Sequence, residues 1–534
     1  MSIQRLISRL GPSGAVLVSL LLALAGPCGR PAAAAEVLQL RLDDIDLPIP
    51  LSQLEAWSQG RSTNTPIGSD VAIWLNLMAP QSRSDVRRLL SAPLLRERSF
   101  GQQVLDSWAG GQVLGEVAAL LTDADGHSIR HQLELTLRQL LREHQEVSTI
   151  TLLRALPVPR LSLQLDGLIA VAQQWRRQLD HQRRALNGLR TLNIPGYPSS
   201  ATGQPAAPQP QPQLRLLPVS HRPSGLPLQI WPAEPAAARP ATRPWLLLMP
   251  GLGGDADQLN WLASGLAGRG WPVVVLQHPG SDAAALRAAL EGDRPPPGAE
   301  TLADRLRDVE ALLAAQRRGE LGMQGQGVVL IGHSLGGLTA MLAAGVGPEA
   351  GLRERCGRVL GRLPFTNPSR LLQCQLPSTG LPPIPPRPDE LRGLVLYNPF
   401  GSLLWPRRAL TRLPLPVLIA GGSLDLVTPP LEEQLQLFDP PGHPGSRFVL
   451  VEGGSHFSPV RMASGDEGAL RLGNDLVGTD PVRVQGVLLH LTQDFLAGLE
   501  QPRRPMAGRL QQDGVTAYVL DAPAAGRWRS LTGP

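Results

Sequence analysis

The sequence predicts an α/β chain: a mostly parallel sheet with helices on both faces, preceded by a smaller, mainly α-helical domain. Three observations point there. From about residue 214 onward, short apolar runs alternate with helical stretches, the pattern of a parallel sheet and its covering helices. One of those runs leads directly into Gly332, His333, Ser334, Leu335 and Gly336, with an apolar helical segment behind it. Before residue 190, in contrast, Val, Leu and Ile recur at helical intervals over long stretches.

A single core seldom grows beyond about 250–300 residues, so a chain of 534 residues is expected to hold two folded domains. Hydrophobic residues make up 42% of it, enough for both cores. Every one of its 50 basic residues is Arg. The net charge of +5 is spread along the chain without a basic run, so no nucleic-acid partner is expected and the arginines read as solvated surface.

Taken from the start, Arg5 and Arg9 precede an apolar run from Ala15 to Ala25, and Pro31 with four alanines leads to Glu36. Residues 1–35 therefore read as a secretory signal peptide, and the protein as exported across the cytoplasmic membrane. The apolar run is shorter than the about 20 residues that span a bilayer, and Pro27 directly before Cys28 departs from a lipoprotein cleavage site. Export is favoured over an N-terminal anchor on both grounds. Residues 36–192 follow as the accessory domain, extended over 37–49 and helical throughout 51–189. Its His127 and His131 lie four apart without a third ligand, so they read as surface histidines and no metal is expected. Residues 193–213, rich in proline, glycine and small polar side chains, cannot build a core and read as a linker.

The catalytic-type domain is expected over 214–500, with residues 501–534 as a C-terminal tail. Its strands are placed at Pro244–Met249, Pro272–Gln277, Gly327–Gly332, Leu391–Asn398, Pro416–Gly421 and Arg447–Glu452. Where the third strand meets the following helix, glycine is needed two residues to either side of Ser334, because any side chain there would collide with backbone across the sharp turn. A serine hydroxyl is a weak nucleophile at neutral pH and needs a base that is itself oriented by a carboxylate. Asp425 and His456 follow in that order, each just past a strand, at the sheet end where such folds bind ligands. Either alone would read as a turn-capping Asp or a loop His; after the serine turn they read as a Ser334, Asp425 and His456 triad.

Acyl transfer also needs two backbone N–H groups aimed at the developing oxyanion. Leu335 supplies one by position. Leu252, in the glycine-rich loop MPGLGGD, is the candidate for the other. The glycines of that loop also fit a dinucleotide-binding turn, but the next strand ends in Gln277, His278 and Pro279 rather than in the acid that a ribose would want. No cofactor is expected.

With MPGLGG, LQHPGSD, LIGHSLGG, PVLIAGGSLDLVTPPLEEQLQLF and GGSHFS in hand, the chain resembles the DUF1400-like α/β-hydrolases of cyanobacterial type. Those carry an all-helical N-terminal extension and are related to dienelactone hydrolase and platelet-activating-factor acetylhydrolase. The resemblance implies the α/β-hydrolase fold, triad roles for Ser334, Asp425 and His456, and oxyanion roles for Leu252 and Leu335. Two positions depart from the pattern. Pro250 stands where a histidine is usual, and Asn398 stands where the acetylhydrolases carry their acid, so the acid is placed as in dienelactone hydrolases. Those in turn use a cysteine nucleophile, where this chain has Ser334.

An exported serine hydrolase acting on a small-molecule or lipid ester is the expectation. A non-catalytic binding or partner-docking module on the same fold is the competing one. Residues 347–390 are expected to form a cap over the site. Loss of Cys28 with the signal peptide leaves Cys356 and Cys374 as the remaining pair, expected to form a disulfide within that cap. Arg355, Arg358, Arg362 and Arg370 would then face either an anionic membrane headgroup or water.

Overall fold

The computed structural model describes residues 34–532 except residues 44 and 145 and the segments 61–78, 96–97, 199–209, 234–242, 361–365, 407–408, 439–440, 462–477 and 502–505. Most of the expected signal peptide and the centre of the expected linker lie outside the described residues, as do Arg362, Leu363 and Phe365 of the expected cap. Two units divide the chain: residues up to Leu105 with Val113–Leu168, and Asp106–Gln112 with Ile169–Pro534.

In the first unit, alternating Leu38, Leu40 and Leu42 form β1 (Val37–Leu42), which turns back as β2 (Ile45–Pro50). The sheet continues from the other edge of β1 through β6 (Arg160–Gln164) to β4 (Leu121–Asp123), and a short ladder joins β3 (Pro93–Leu95) to β5 (Val147–Ser148). Leu38 pairs with Ile49 on one side and Leu161 on the other, and all three are buried, so the apolar alternation sets the register. The helices lying in it wholly or in part are α1 (Leu51–Ser58), α2 (Pro80–Ser91), α3 (Arg98–Asp106), α4 (Trp108–Leu120), α5 (Arg130–Glu143) and α6 (Thr149–Ala155), of which residues 106–112 of α3 and α4 belong to the second unit. Buried Leu133, Leu137, Leu140 and Leu141 make a single apolar stripe on α5. Residues 51–189 are thus not helical throughout. The five-residue alternation of β6 runs straight into the next helix, α7 (Leu165–Thr191), and so short an apolar run fits either period.

The second unit is built on ten strands in the order β15-β16-β14-β13-β12-β11-β9-β10-β8-β7. The six strands read from the sequence are β9 (Trp245–Met249), β10 (Val273–Leu276), β11 (Val328–His333), β12 (Leu391–Tyr397), β13 (Val417–Gly422) and β14 (Arg447–Val451), all parallel. An antiparallel hairpin, β7 (Gln213–Val219) and β8 (Arg222–Trp231), edges one side. Trp245, Leu247 and Met249 of β9 enter one core, and Leu246 and Leu248 the other, as expected of strands covered on both faces. One face carries α8 (Asn260–Ala267) and α15 (Pro481–Glu500); the other carries α10 (Leu302–Arg317), α11 (Leu335–Ala343) and α16 (Ala522–Thr532). The remaining helices are α9 (Ala283–Leu290), α12 (Leu352–Leu360), α13 (Ser369–Thr379) and α14 (Gln434–Phe438). Because β10 lies on one side of β9 and β11 on the other, consecutive connections part there, and open sheets of this kind hold ligands at that crevice.

Two expected boundaries move. Residues 501–534 are no tail: β15 (Gly508–Gln512) and β16 (Val515–Leu520) extend the sheet beyond β14, and α16 buries Trp528 completely. The Trp528 indole N–H donates to the Ala185 carbonyl at 2.8 Å. Ala185 and Leu189 join the same core, so α7, expected to close the accessory domain at residue 192, belongs from Ile169 onward to the sheet-bearing unit. Helical periodicity identifies a helix but not the surface that buries its stripe. Pro195 and Tyr197, expected in the linker, exchange backbone hydrogen bonds with Arg509 of β15. No helix among the described residues is long and apolar enough to cross a membrane.

Candidate active site

Strand β11 delivers Ser334 to the turn before α11 with φ 52° and ψ −117°, a left-handed backbone that a side-chain-bearing residue adopts only when its surroundings enforce it. The neighbouring glycines show what does so. A Cβ on Gly332 would sit 2.3 Å from the Gly336 carbonyl, and one on Gly336 would sit 2.2 Å from the Met249 carbonyl. The Ser334 N–H is tied to the Tyr397 carbonyl at 2.9 Å.

His456, in the loop after β14, places Nε2 3.1 Å from Ser334 Oγ and Nδ1 3.0 Å from Asp425 Oδ2. Asp425, after β13, is completely buried. Burial alone would raise its pKa; the charge of His456 and hydrogen bonds from His456 and Thr428 outweigh it, so the carboxyl is held below its ordinary 3.8. The carboxylate accepts from the N–H of Val427 at 2.9 Å and of Thr428 at 2.7 Å, and from Thr428 Oγ1 and Asn398 Nδ2 at 2.6 Å each. The structure therefore brings all three sequence-predicted residues into one hydrogen-bonded line. Glu452, the nearest other acid beyond β14, is bonded to Arg190 and Tyr518 instead.

Two partners of Asp425 are not evident from the sequence. Asn398 stands out there only as a missing acid, yet from the end of β12, with φ 48°, it donates to Asp425 Oδ2 and to the Ser455 carbonyl. Thr428 stands three residues after Asp425, one beyond Val427, whose N–H closes the Asx-type turn on the Asp425 carboxylate, and nothing in the sequence singles it out. His333, inside the serine turn, is buried, and its Nε2 donates to the His456 carbonyl at 2.9 Å. Burial first, then the charge of His456, lowers its pKa to about 3, so it stays neutral and serves as a strut.

The two expected oxyanion donors both follow strands of the sheet, Leu252 after β9 and Leu335 after β11. Leu335 opens α11, and the first N–H groups of a helix have no intrahelical partner. Leu252 lies in the loop after β9, between Gly251, where an added Cβ would sit 3.1 Å from Ser334 Cβ, and Gly253 at φ +71°. Among the described residues, no acceptor is paired with the N–H of either leucine.

Residues 246–466 match the family model described as the alpha/beta hydrolase family, and residues 34–164 match that of an alpha/beta hydrolase of unknown function (DUF1400). The fold is that of an α/β-hydrolase. No curated protein matches the chain. Similar solved structures include Thermogutta terrifontis esterase 2 phosphoramylated by tabun, at 16% identity over 56% of this chain and 98% of that one, with a TM-score of 0.33. The same esterase phosphonylated by cyclosarin follows at 17% over 55% and 98%, TM-score 0.33. Est1E from Butyrivibrio proteoclasticus follows at 13% over 53% and 99%, TM-score 0.30.

In this α/β-hydrolase fold the cavity at Ser334 has a volume of about 170 Å³ and is bordered by Leu252, Leu286, Leu290, Phe457 and Val460. The expected cap does not border it: none of the described residues 347–390 lines the cavity, and α9 takes that place. Cys356 of α12 and Cys374 of α13 do form a disulfide, with Cα atoms 5.3 Å apart. Val359, Leu360 and Leu372 pack on the core. Arg355 donates to the Leu403, Ala350 and Glu349 carbonyls and Arg370 pairs with Glu432, so neither is a bare cation. Asp123, Asp125 and His127 bring three ligand atoms within 4.8 Å of one another. Asp123 there accepts from the N–H groups of Asp125 and His127, which makes it the closing residue of an exposed turn.

Proposed function

We propose that the protein is an exported serine hydrolase that cleaves carboxylic esters through an acyl-enzyme, with Ser334 as nucleophile, His456 as general base and then general acid, and Asp425 as the group that orients His456. The observation that carries this reading is the continuous line from Ser334 Oγ through His456 to Asp425, with distances of 3.1 and 3.0 Å, set on a left-handed serine at the topological switch point. In the first step His456 Nε2 takes the hydroxyl proton as Oγ attacks the ester carbonyl. The N–H groups of Leu252 and Leu335 receive the oxyanion, and the protonated imidazole then passes its proton to the departing alkoxide. Water repeats the sequence and releases the acid. Asp425, kept ionised, holds the Nδ1–H tautomer that leaves Nε2 free to accept.

The cavity of about 170 Å³ falls below the roughly 300–1,000 Å³ of pockets that enclose drug-sized ligands, which favours short acyl groups over long lipid chains. Arg5, Arg9 and the apolar run after them support export. The kinship with dienelactone hydrolase and with platelet-activating-factor acetylhydrolase is likewise part of the proposal and rests on the sequence motifs. A p-nitrophenyl ester series from acetate to palmitate, with fluorophosphonate labelling alongside, tests the reading. Hydrolysis strongest at acetate or butyrate and labelling at Ser334 are expected. A folded protein that neither labels nor turns over would be the binding module instead.

A further inference from the structure

Arg305 has no role in the triad, yet it is buried to 1% exposure and bonded both to the loop after β9 and to the serine helix, which carry the proposed oxyanion donors. It lies on α10, and its N–H groups diverge to three elements. Nε–H donates to Thr339 Oγ1 of the serine helix α11 at 3.1 Å, Nη1 to Ser281 Oγ at 2.8 Å, and Nη2 to the Pro250 carbonyl of the loop after β9. Thr339 Oγ1 passes the link on, donating to the Leu335 carbonyl at 2.8 Å. The Ser281 carbonyl in turn accepts from the Gly253 N–H at 2.8 Å. One guanidinium thus holds the Pro250 carbonyl directly, the Leu335 carbonyl through the Thr339 hydroxyl, and Gly253 through Ser281, whose hydroxyl meets Arg305 and whose carbonyl meets the Gly253 N–H.

Packing does not explain this residue. Desolvating a guanidinium is costly, and an apolar side chain of similar volume fills such a site at lower cost. Burial lowers the Arg305 pKa to about 9, and among the described residues no carboxylate lies within ion-pairing distance of it. The nearest on its own helix, Asp308, accepts from His221, Arg222 and His278. A planar fork with fixed donor directions does what an aliphatic chain cannot, which is to set the rotation of a peptide plane. The Pro250 carbonyl is held toward Arg305, which fixes the peptide that leads into Gly251 and Leu252.

We propose that Arg305 is the positioning residue of the oxyanion site, locking the loop after β9 to the serine helix so that the N–H groups of Leu252 and Leu335 converge on one point. The inference rests on the proposed role of Ser334. Its test compares the full-length protein with Arg305→Met, Arg305→Lys, Thr339→Val and Ser281→Ala, measuring kcat and KM on a p-nitrophenyl ester and affinity for a trifluoromethyl ketone that mimics the tetrahedral adduct. Removing one oxyanion donor costs about 10²–10³-fold in kcat. Arg305→Met is expected to lose on that order in kcat and equally in ketone affinity, with KM nearly unchanged. Arg305→Lys should recover part of the loss, and the two hydroxyl deletions should give smaller losses in the same two quantities. A folded Arg305→Met that keeps wild-type kcat, or loses kcat without ketone affinity, overturns the proposal. If that variant does not fold, Thr339→Val decides, and unchanged kcat and ketone affinity there overturn it. A wild-type protein without labelling or turnover would instead overturn the function on which the inference rests.

Discussion

At the scale of single residues, the site is a fully buried carboxylate with every approach occupied. Asp425 accepts from two backbone N–H groups, from Thr428, Asn398 and His456, which favours the charged form despite burial. Ser334→Ala is expected to remove about six orders of magnitude from kcat while leaving the fold intact. Asp425→Asn should remove about 10⁴-fold by presenting the wrong imidazole tautomer. Steady-state hydrolysis of p-nitrophenyl acetate checks both, and comparable turnover in the serine variant would mean another nucleophile. Asn398→Asp is the more discriminating change. Nδ2 lies 2.6 Å from Asp425 Oδ2, so a second carboxylate there could not ionise alongside the first without strong repulsion. Activity should fall and its acid limb should move to higher pH; a pH–kcat profile identical to wild type would contradict the shared site. The loss is informative because the position tolerates one charge, and Asp425 already holds it.

At the scale of elements, the strands legible in the sequence are those whose apolar runs are bounded by turn chemistry and feed a covering helix, and each appears within a residue or so of its expected limits. The strands that the sequence does not announce carry mixed patterns. β15, GRLQQ, is an edge strand with only Gly508 and Leu510 buried, so it offers one large apolar side chain to read, and β16, VTAYVL, is buried at every position but Thr516 in a run too short to tell strand from helix. The serine turn, the acid and the histidine are readable because each follows a strand. Arg305, Asn398 and Thr428 are not, since nothing local distinguishes a buried polar residue from a surface one. The expected cap fails for a similar reason: position after α11 suggests that it covers the site, whereas Leu352, Leu360, Leu372 and Leu376 pack on the core. Reducing the Cys356–Cys374 disulfide should therefore lower stability, by about 3 kcal/mol in the chain-entropy model for a loop of this length. It should alter acetate and long-chain ester hydrolysis to the same degree, and a selective effect on long chains would restore a lid role. Helix α9 is the element expected to set acyl preference. Leu286 and Leu290 border the cavity and are partly exposed, at 39% and 37%; Leu290→Ala should broaden the ester series toward longer chains, and an unchanged chain-length profile would remove α9 from the acyl side.

At the scale of the whole molecule, two histidines buried as neutral rings couple stability to pH. Burial, then the charge of His456, lowers His333 to about 3; burial, then the charge of Arg305, lowers His278 to about 4 despite its bond to Asp308. Below the ordinary 6.5 the unfolded chain binds protons that the folded chain refuses, so stability is full above that value and falls as pH drops toward 4. The slope approaches about 1.4 kcal/mol per pH unit for each histidine. Urea midpoints of the second unit at pH 7, 6 and 5 should decline in that order, and a flat series would mean that the rings take up protons in the native state. The closure of Trp528 on Ala185 bears on synthesis as well. A polypeptide emerging from the ribosome makes α7 long before β16 and α16, so the edge of β14 stays open and Ala185 stays uncovered until those elements follow. A nascent chain interrupted before them lacks the contacts that cover β14 and would be handed to proteases with an unpaired strand exposed.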